Sequence, residues 1–243
     1  MMQDRIVATR ALTHSYGTGA VRQEVLSDVD LDVEAGEVVI VTGPSGSGKT
    51  TLLTLIGGLR RVEAGEATVL GNPLRGASDR VLTAVRKRIG YIFQAQNLVD
   101  SLSAVENVEL AIALAGGSGD AHIMRGRALA MLDAMGLGDR AQQFPQQLSG
   151  GQKQTRALVN APRLVLADEP TAALDRGSGR AVAEQLARLA HDRGSAVVLV
   201  THDNRIFDVA DRIVTLHDGR IVSLASAVLS NTRQMRDSGA HPG

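Results

Sequence analysis

Short apolar runs recur along the chain and are separated by segments with helical periodicity. Short apolar runs at Glu37–Val41, Leu164–Ala167 and Ala196–Val200 are strand-sized and are soon followed by glycine, proline or charged residues, which predicts strands. Helical spacing over Thr50–Leu59 and Arg176–His191 predicts helices between them. Strands that alternate with helices indicate an α/β fold with a mainly parallel sheet.

Weaker patterns extend this outline. Further β segments are predicted at Ile6–Leu12, Val29–Val33, Ala67–Leu70 and Ile89–Phe93, and another helix at Ser78–Arg88. Ile213–Leu216 and Ile221–Val222 flank an Asp-Gly turn, which predicts a hairpin.

The middle of the chain follows a different pattern. Between about residues 95 and 160, apolar residues recur at helical spacing with no convincing strand, which predicts an all-helical insert. We expect a single domain over residues 1–223, with this insert inside it, and a polar C-terminal tail over 224–243.

Composition narrows the classes of partner. The formal net charge is zero and aromatic residues make up 2% of the chain, which argues against nucleic acid as the main partner. The chain has no cysteine, which excludes disulfides and thiolate metal sites and fits a reducing compartment. No apolar run approaches the roughly 20 residues that cross a bilayer, so any membrane path must come from other chains.

A glycine-rich loop follows the strand at Glu37–Val41 and opens a helix. It matches the phosphate-loop pattern G-x-x-x-x-G-K-[ST] in the context that this motif requires, and it reads Gly43-Pro44-Ser45-Gly46-Ser47-Gly48-Lys49-Thr50. Glycines let backbone N–H groups surround a phosphate, and the helix N-terminus favours the same anion. Lys49 can reach the outer phosphates and the Thr50 hydroxyl can bind Mg²⁺.

Two carboxylates, Asp168 and Glu169, end the strand at Leu164–Ala167. Strands of a parallel sheet deliver their last residues to the edge where ligands bind. Asp168 is suited to hold Mg²⁺ through water, and Glu169 to polarise an attacking water. Strands also end in solvated acids without any such role, but the phosphate loop in the same chain favours the catalytic interpretation.

These motifs, together with Leu148-Ser149-Gly150-Gly151-Gln152, resemble those of the ATP-binding cassette family. The five-residue run looks like the family signature, lies between the loop and the acidic pair in the family's order, and implies contacts from Ser149, Gly150, Gly151 and Gln152 to ATP. The resemblance covers about Ile6–Val222, nearly the whole chain, and implies ATP and Mg²⁺ as ligands. It also implies a P-loop ATPase core with a mainly parallel sheet, an N-terminal antiparallel β subdomain and an all-helical insert.

Single positions carry further roles by the same resemblance. Tyr16 looks like the aromatic residue that stacks on adenine, and Thr51 extends the phosphate-binding run. Gln94 looks like the glutamine that joins Mg²⁺ and the attacking water to the insert. Asp175 looks like the aspartate that crosses a dimer interface, and His202 like the histidine that contacts the γ-phosphate. Lys49, Gln94, Glu169 and His202 form the expected catalytic set.

The resemblance also implies how the protein works. ATP would join two copies, bound by the phosphate loop of one and the signature of the other, and hydrolysis would release them. Within the family, Ile89–Leu98, Val105–Val108 and Ser45–Ser47 look most like the group for lipoprotein release, macrolide export and glycolipid export (the LolD, MacB and DevA types). Such a homodimer works on the cytoplasmic face of the inner or plasma membrane with a permease that has a large external domain, often with a membrane-fusion protein.

One departure from the family follows the signature. Lys153-Gln154-Thr155 leads directly into Arg156-Ala157-Leu158, so about four residues of the usual pattern are missing, close to one helical turn of roughly 6 Å. We interpret this as a displacement of Ser149 that impairs or alters hydrolysis, although an adjusted loop at Gly136–Gln147 would preserve it. Two alternative functions stay open: a regulatory ATP-binding subunit with weak turnover, and a soluble cassette protein outside transport.

Overall fold

A six-stranded sheet forms the centre of the protein. The structure is a computed structural model, and it describes residues 4–17, 19–92, 101–114, 120–133, 138–144, 162–172 and 174–226. Its strand order is β10-β9-β3-β8-β7-β6. The strands are β3 (Val38–Thr42), β6 (Ile89–Ile92), β7 (Leu164–Asp168), β8 (Ala196–Val200), β9 (Arg212–His217) and β10 (Arg220–Ser226). All neighbours are parallel except β9 and β10, which form an antiparallel hairpin. The predicted mainly parallel sheet is confirmed.

The central strands are apolar on both faces because each face is covered. In β3, Val39 and Val41 pack into one core cluster, whereas Val38 and Ile40 pack into a second cluster on the opposite face. This alternation follows from the two-residue period of a strand. Burial on both faces explains why β3 reads as a continuous apolar run rather than an alternating one.

A second sheet of four antiparallel strands has the order β2-β1-β4-β5 and confirms the predicted N-terminal subdomain. Its strands are β1 (Arg5–Tyr16), β2 (Gln23–Glu34), β4 (Ala64–Val69) and β5 (Asn72–Pro73). β1 and β2 are longer than predicted. Positive φ angles at Ala11 and Asp28 and several register shifts interrupt the alternation of their side chains, which hid their full length in the sequence.

Helices pack on the two faces of the central sheet. These are α1 (Lys49–Ile56), α2 (Asp79–Arg86) and α5 (Arg176–Arg193). Residues of α1 join the cluster that also contains side chains of the antiparallel sheet, and α5 buries Val182, Ala183 and Leu186 against the other face. Ser78 caps α2, Asp175 caps α5, and Gly194 ends α5 in a left-handed conformation.

The described part of the insert contains α3 (Ala104–Leu114), α4 (Ala121–Asp133) and a short 3₁₀ helix at Gly138–Arg140. Val105 and Val108 of α3 and Leu132 of α4 share a separate small cluster with Ala104, Ala128 and Ala141. No strand occurs among the described residues of the insert. Residues 145–161, including the signature, lie outside the described part of the chain.

Two details of the C-terminal half differ from the sequence-based expectation. A 3₁₀ helix at Asn204–Val209 connects β8 to β9 and was not predicted. The last strand continues to Ser226, four residues beyond the segment Ile221–Val222 that the sequence predicted for the hairpin. Ser226 pairs with Arg212, and Leu224 with Val214, so the partner strand keeps this polar segment in the sheet.

Candidate functional site

Three neighbouring strands of the central sheet end at the same edge and supply most of the predicted site. β3 leads into the glycine-rich loop, β7 ends at Asp168, and β8 leads into Thr201 and His202. In the sheet, β8 lies between β3 and β7 and runs parallel to both. The topology therefore brings together residues that are more than 100 positions apart in sequence.

The loop from residue 43 to residue 48 depends on glycine at two crowded positions. Gly43 has φ 142°, and a Cβ atom there would lie 2.0 Å from the Leu216 carbonyl oxygen. Gly48 has φ 99°, and a Cβ atom there would lie 2.7 Å from the Val25 carbonyl oxygen. By contrast, Gly46 (φ 80°) has no neighbouring atom within 4 Å of such a position, so its side of the loop is open. The loop is thus packed tightly at both ends and exposed in the middle.

Lys49 begins α1 and folds back over the loop. Its Nζ donates to the carbonyl oxygens of Gly43 at 2.9 Å and Pro44 at 2.8 Å. The ammonium group therefore lies at the position where it can meet an anion bound by the loop. Ser47 is buried, and its hydroxyl has no hydrogen-bond partner among the described residues.

The Thr50 hydroxyl joins the loop to β7. Its Oγ1 donates to Asp168 Oδ2 at 2.8 Å, across 118 positions of sequence. Burial raises the pKa of the Asp168 carboxyl, and the neighbouring Glu169 adds to this, while the Thr50 hydrogen bond and Lys49 oppose it. A hydroxyl and a carboxylate side by side are the hard oxygen ligands that Mg²⁺ prefers, so these residues fit the metal that the resemblance implies.

Glu169 is held at the end of β7 in a left-handed backbone conformation with φ 49°. Its N–H donates to the Val200 carbonyl oxygen at 2.8 Å, which ties it to β8. One carboxylate oxygen lies 2.7 Å from His202 Nδ1, and the other accepts from the Thr201 hydroxyl at 3.2 Å. The Glu169 side chain is 13% exposed and that of His202 75%, so a partly buried carboxylate meets an imidazole that faces solvent.

Tyr16 ends β1 beside the loop. Its hydroxyl lies 3.1 Å from the Thr51 hydroxyl, in the first turn of α1. The ring is half-buried, which leaves aromatic surface accessible next to the phosphate loop. The predicted position of an adenine-stacking residue is therefore compatible with the geometry.

Asp175 lies elsewhere and has a structural contact. Its carboxylate caps α5 by accepting from the N–H groups of Gly177 and Ser178, each at 3.0 Å. The contact with Ser178 holds the pKa of this carboxyl below its usual value. The side chain remains exposed, so the predicted role at an interface between copies stays a prediction. Gln94, Ser149, Gly150, Gly151 and Gln152 lie outside the described residues.

Two supports of the site were missed by the sequence reasoning. Thr201 donates to Glu169 and its hydroxyl accepts from the Asp203 N–H at 3.0 Å, so it links two acidic residues. The β9–β10 turn packs behind the phosphate loop, where the Gly219 N–H donates to the Ser47 carbonyl oxygen at 3.2 Å. The position of Thr201 directly before His202 at the end of a strand was a usable signal, whereas no local pattern pointed from the turn to the loop.

A sequence profile described as ABC transporter matches residues 26–172. The chain belongs to the ABC transporter family. This assignment agrees with the phosphate loop, the acidic pair and His202, which meet at one edge of the sheet as the family resemblance implied.

Several relatives within the ABC transporter family match most of the chain. It is 40% identical over 250 residues to the macrolide export ATP-binding/permease protein MacB of Agrobacterium fabrum, which covers 100% of this chain and 38% of that relative. It is 40% identical over 223 residues to the lipoprotein-releasing system ATP-binding protein LolD of Shewanella oneidensis, which covers 90% of this chain and 96% of that relative. These relatives confirm the predicted LolD- and MacB-like group. The chain spans only 34–38% of the length of the MacB relatives.

Solved structures of ABC cassettes share the fold. A dimeric structure of a post-hydrolysis state of the cassette MJ0796, bound to ADP and Pi, has a TM-score of 0.83 and 37% identity and covers 91% of this chain and 99% of that one. The structure of cbiO1 from Clostridium perfringens, part of the ABC transporter complex cbiONQ, has a TM-score of 0.84 at 23% identity and covers 97% of this chain and 94% of that one. The arrangement of both sheets is therefore common to distant cassettes.

Proposed function

We propose that this chain is the ATP-binding and ATP-hydrolysing subunit of an ABC transporter that energises export or extraction of a substrate through a separate membrane permease. One observation supports it above the others: Lys49 and Thr50, Asp168, and the Glu169–His202 pair meet at the ends of β3, β7 and β8. Phosphoryl transfer from ATP needs a phosphate cradle, a metal-binding carboxylate and a residue that orients water, and this edge has one of each.

The phosphate loop, Gly43 to Thr51, would bind the triphosphate through its backbone N–H groups and the N-terminus of α1. Lys49 would exchange its two carbonyl contacts for the outer phosphates, which is a gain because a charged partner replaces neutral ones. Tyr16 would supply an aromatic surface for adenine. Each assignment concerns residues that already lie around the same loop.

Mg²⁺ would be held by the Thr50 hydroxyl and, through water, by Asp168, with Gln94 as a further ligand by family resemblance. Among the described residues, no group of three or more His, Cys, Asp or Glu side chains could hold a metal, so the nucleotide's own oxygens would have to complete this site. When bound, the ion would neutralise charge on the phosphate oxygens.

Hydrolysis would depend on Glu169. The Thr201 hydroxyl and His202 fix both carboxylate oxygens, so the group can accept a hydrogen bond from a water in a defined direction. The exposed imidazole of His202 can reach toward a terminal phosphate while it remains in contact with Glu169. Thr201 would thus hold the carboxylate, and His202 would connect it to the nucleotide.

Two copies would act together. Ser149 and the glycines of the signature in one copy would close over the ATP on the other, and Asp175 would lie at their interface.

The helical insert, near residues 95–160 of the nucleotide-binding domain, would contact a permease with a large external domain. In some systems a membrane-fusion protein would join this assembly. No helix among the described residues is long and apolar enough to cross a membrane. We place the chain on the cytoplasmic face of the inner or plasma membrane.

Steady-state ATP turnover tests the catalytic part of this proposal. Glu169→Gln keeps the shape and the hydrogen bond from Thr201 but removes the charge, so turnover should fall by about 10²- to 10⁴-fold while MgATP binding persists. Lys49→Ala should instead abolish binding. Undiminished turnover in Glu169→Gln would refute the assigned role of this carboxylate.

Affinity purification of the full chain from membranes of its own organism tests the transport part. We expect an integral membrane permease to co-purify in stoichiometric amount. When both proteins are reconstituted in vesicles, the permease should raise the ATP turnover or couple it to transport. Stoichiometric recovery with ribosomal or DNA-bound proteins instead would support the alternative of a soluble cassette protein.

A further inference from the structure

The Tyr16 ring is held at three points. The Arg60 guanidinium carbon lies 4.8 Å above the ring centroid, which is a cation–π contact. The His14 ring meets Tyr16 edge to face, with centroids 5.0 Å apart and an interplanar angle of 87°. The phenolic oxygen lies 3.1 Å from the Thr51 hydroxyl. Face, edge and hydroxyl are therefore each in contact with a different residue.

These contacts connect the ring to both ends of α1. Thr51 lies in the first turn of that helix, directly after the phosphate-binding Lys49 and Thr50. Arg60 lies just beyond the other end, where its N–H donates to the Thr54 carbonyl oxygen at 3.1 Å. The guanidinium itself is on an exposed residue, so its contact with Tyr16 is not forced by burial in the core.

We propose that Arg60 is a positioning residue for adenine, because its guanidinium backs one face of Tyr16 and orients the other face toward a base whose phosphates lie on the loop at Lys49–Thr51. This inference rests on the proposed ATP-binding function and deepens it. Nothing in the phosphate-loop or signature motifs assigns a role to Arg60. Its contribution follows from the geometry of the ring alone.

Two physical effects would make this contact matter for affinity. A ring already fixed in place loses less conformational freedom when the base stacks on it, and preorganisation of this kind strengthens binding. The guanidinium also holds the ring by attraction to its π electrons, which an uncharged side chain cannot reproduce. Removal of Arg60 should therefore weaken binding of adenine nucleotides by about threefold to tenfold, without any direct contact between Arg60 and the base.

Arg61 offers a matched control. It carries the same charge on the next residue, but its guanidinium donates to Asp79 at 2.6 Å and to the Ala77 carbonyl oxygen at 3.1 Å, away from Tyr16. Arg60→Ala and Arg61→Ala therefore change the net charge equally, whereas only the first removes the contact with the ring. Arg60→Lys keeps a cation at the position and should restore most of the affinity.

Calorimetric titration of the full chain with MgADP, and separately with magnesium-bound inorganic triphosphate, tests the inference. We expect Arg60→Ala to weaken MgADP binding and to leave triphosphate binding unchanged, because triphosphate has no base. Arg61→Ala should leave both affinities unchanged. In steady-state kinetics, Arg60→Ala should raise KM for ATP without lowering kcat. In a Tyr16→Ala background, Arg60→Ala should have no further effect.

The possible failures point to different conclusions. Equal loss of MgADP and triphosphate affinity in Arg60→Ala, or a loss that persists without the Tyr16 ring, would overturn the positioning role in favour of a general charge effect. Tighter MgADP binding by Arg60→Ala would overturn it too, because the guanidinium would then occupy the face that the base needs. If Tyr16→Ala bound MgADP normally, the role of this ring would be refuted, while ATP binding by the phosphate loop would be tested independently with Lys49→Ala.

Discussion

At the scale of single residues, two acidic side chains of the predicted site, Asp168 and Asp175, respond in opposite ways to their surroundings. Burial raises the pKa of Asp168, whereas the N-terminal cap of α5 lowers that of Asp175. A raised pKa means that the folded protein holds the ionised carboxylate at a cost. A lowered one means that the fold favours the charge. The metal-binding candidate is thus the carboxylate whose negative charge the surrounding protein stabilises less well.

We therefore expect Asp168→Asn to raise the thermal midpoint of the nucleotide-free protein at neutral pH. The stabilisation linked to a protonated Asp168 is fully present below the unfolded-state pKa of 3.8 and is lost as the pH rises through the higher folded-state pKa. The advantage of the variant should accordingly disappear in acid. Its magnesium-dependent ATP turnover should fall by about 10- to 100-fold. Calorimetric unfolding across a pH series and a turnover assay measure both effects.

Asp175→Asn provides the control of opposite sign. Because the pKa of Asp175 is lowered, its stabilisation is present above the unfolded-state pKa of 3.8 and is lost as the pH falls through the folded value. This variant should be no more stable than the parent at neutral pH. An equal stabilisation by both substitutions would mean that the effect comes from net charge and not from the burial of Asp168.

At the scale of elements, the turn between β9 and β10 braces the phosphate loop. The Gly219 N–H donates to the Ser47 carbonyl oxygen, and the Leu216 carbonyl oxygen lies close behind Gly43. Gly219 has φ 75°, and a Cβ atom there would lie 2.5 Å from the Val25 carbonyl oxygen. With any larger residue at position 219 the turn would have to move, and the phosphate loop would lose the contact that supports it.

Gly219→Ala is therefore expected to weaken MgADP binding as well as stability. Gly71→Ala is a matched control, because Gly71 has a similar φ of 77° but no atom within 4 Å of the added methyl group. Both variants should lose about 1–2 kcal/mol from the left-handed backbone, and only Gly219→Ala should lose nucleotide affinity. Chemical denaturation measures the loss of stability, and calorimetric titration with MgADP measures the loss of nucleotide affinity. Equal nucleotide affinities in the two variants would contradict the bracing role.

A second element-scale prediction concerns the segment after the signature, which lies outside the described residues. About four residues are missing between Gln154 and Arg156 relative to the family pattern, and four helical residues rise about 6 Å along the helix axis. If the short segment displaces Ser149, insertion of four residues after Gln154 should raise ATP turnover. Turnover that is equal with and without the insertion would show that the neighbouring loop already compensates.

The sequence predicted elements well where a single physical pattern dominated. The strands β3, β7 and β8 are short and mostly apolar, and each was predicted to within one residue at both ends. β1 was only partly predicted, since the left-handed residue at Ala11 breaks the alternation of its side chains. β5 has two residues and no pattern of its own, because it exists only by pairing with β4.

For the candidate site, the motifs predicted the residues but not how they support one another. Lys49, Thr50, Asp168, Glu169 and His202 were all found from local sequence, because each lies directly after a recognisable strand or in the loop. The contact of Arg60 with Tyr16, and that of Gly219 with Ser47, join parts of the chain that are far apart. Such contacts depend on tertiary packing, which no short motif records.

At the scale of the whole molecule, the site of one copy is incomplete by family resemblance, because the signature of a second copy would close it. We expect Glu169→Gln to form a stable dimer in MgATP, because ATP remains between the two copies when hydrolysis is blocked. Light scattering coupled to size-exclusion chromatography should show the doubled mass with MgATP and the monomer with MgADP. Lys49→Ala in the Glu169→Gln background should remain monomeric, and a monomer in every condition would refute the shared site.

The position of β8 between β3 and β7 constrains how the sequence of such a protein can evolve. The spacing of the reactive groups is set by the hydrogen-bonded ladder of three strands, roughly 4.8 Å from one strand to the next, and not by the side chains that fill the core. Exchanges among Val, Ile and Leu in these strands can therefore accumulate while the chemistry stays in register. A single residue gained or lost inside β8 would shift the register of this ladder and displace His202 from Glu169, so we expect changes in length to be tolerated in the connections and not in these strands.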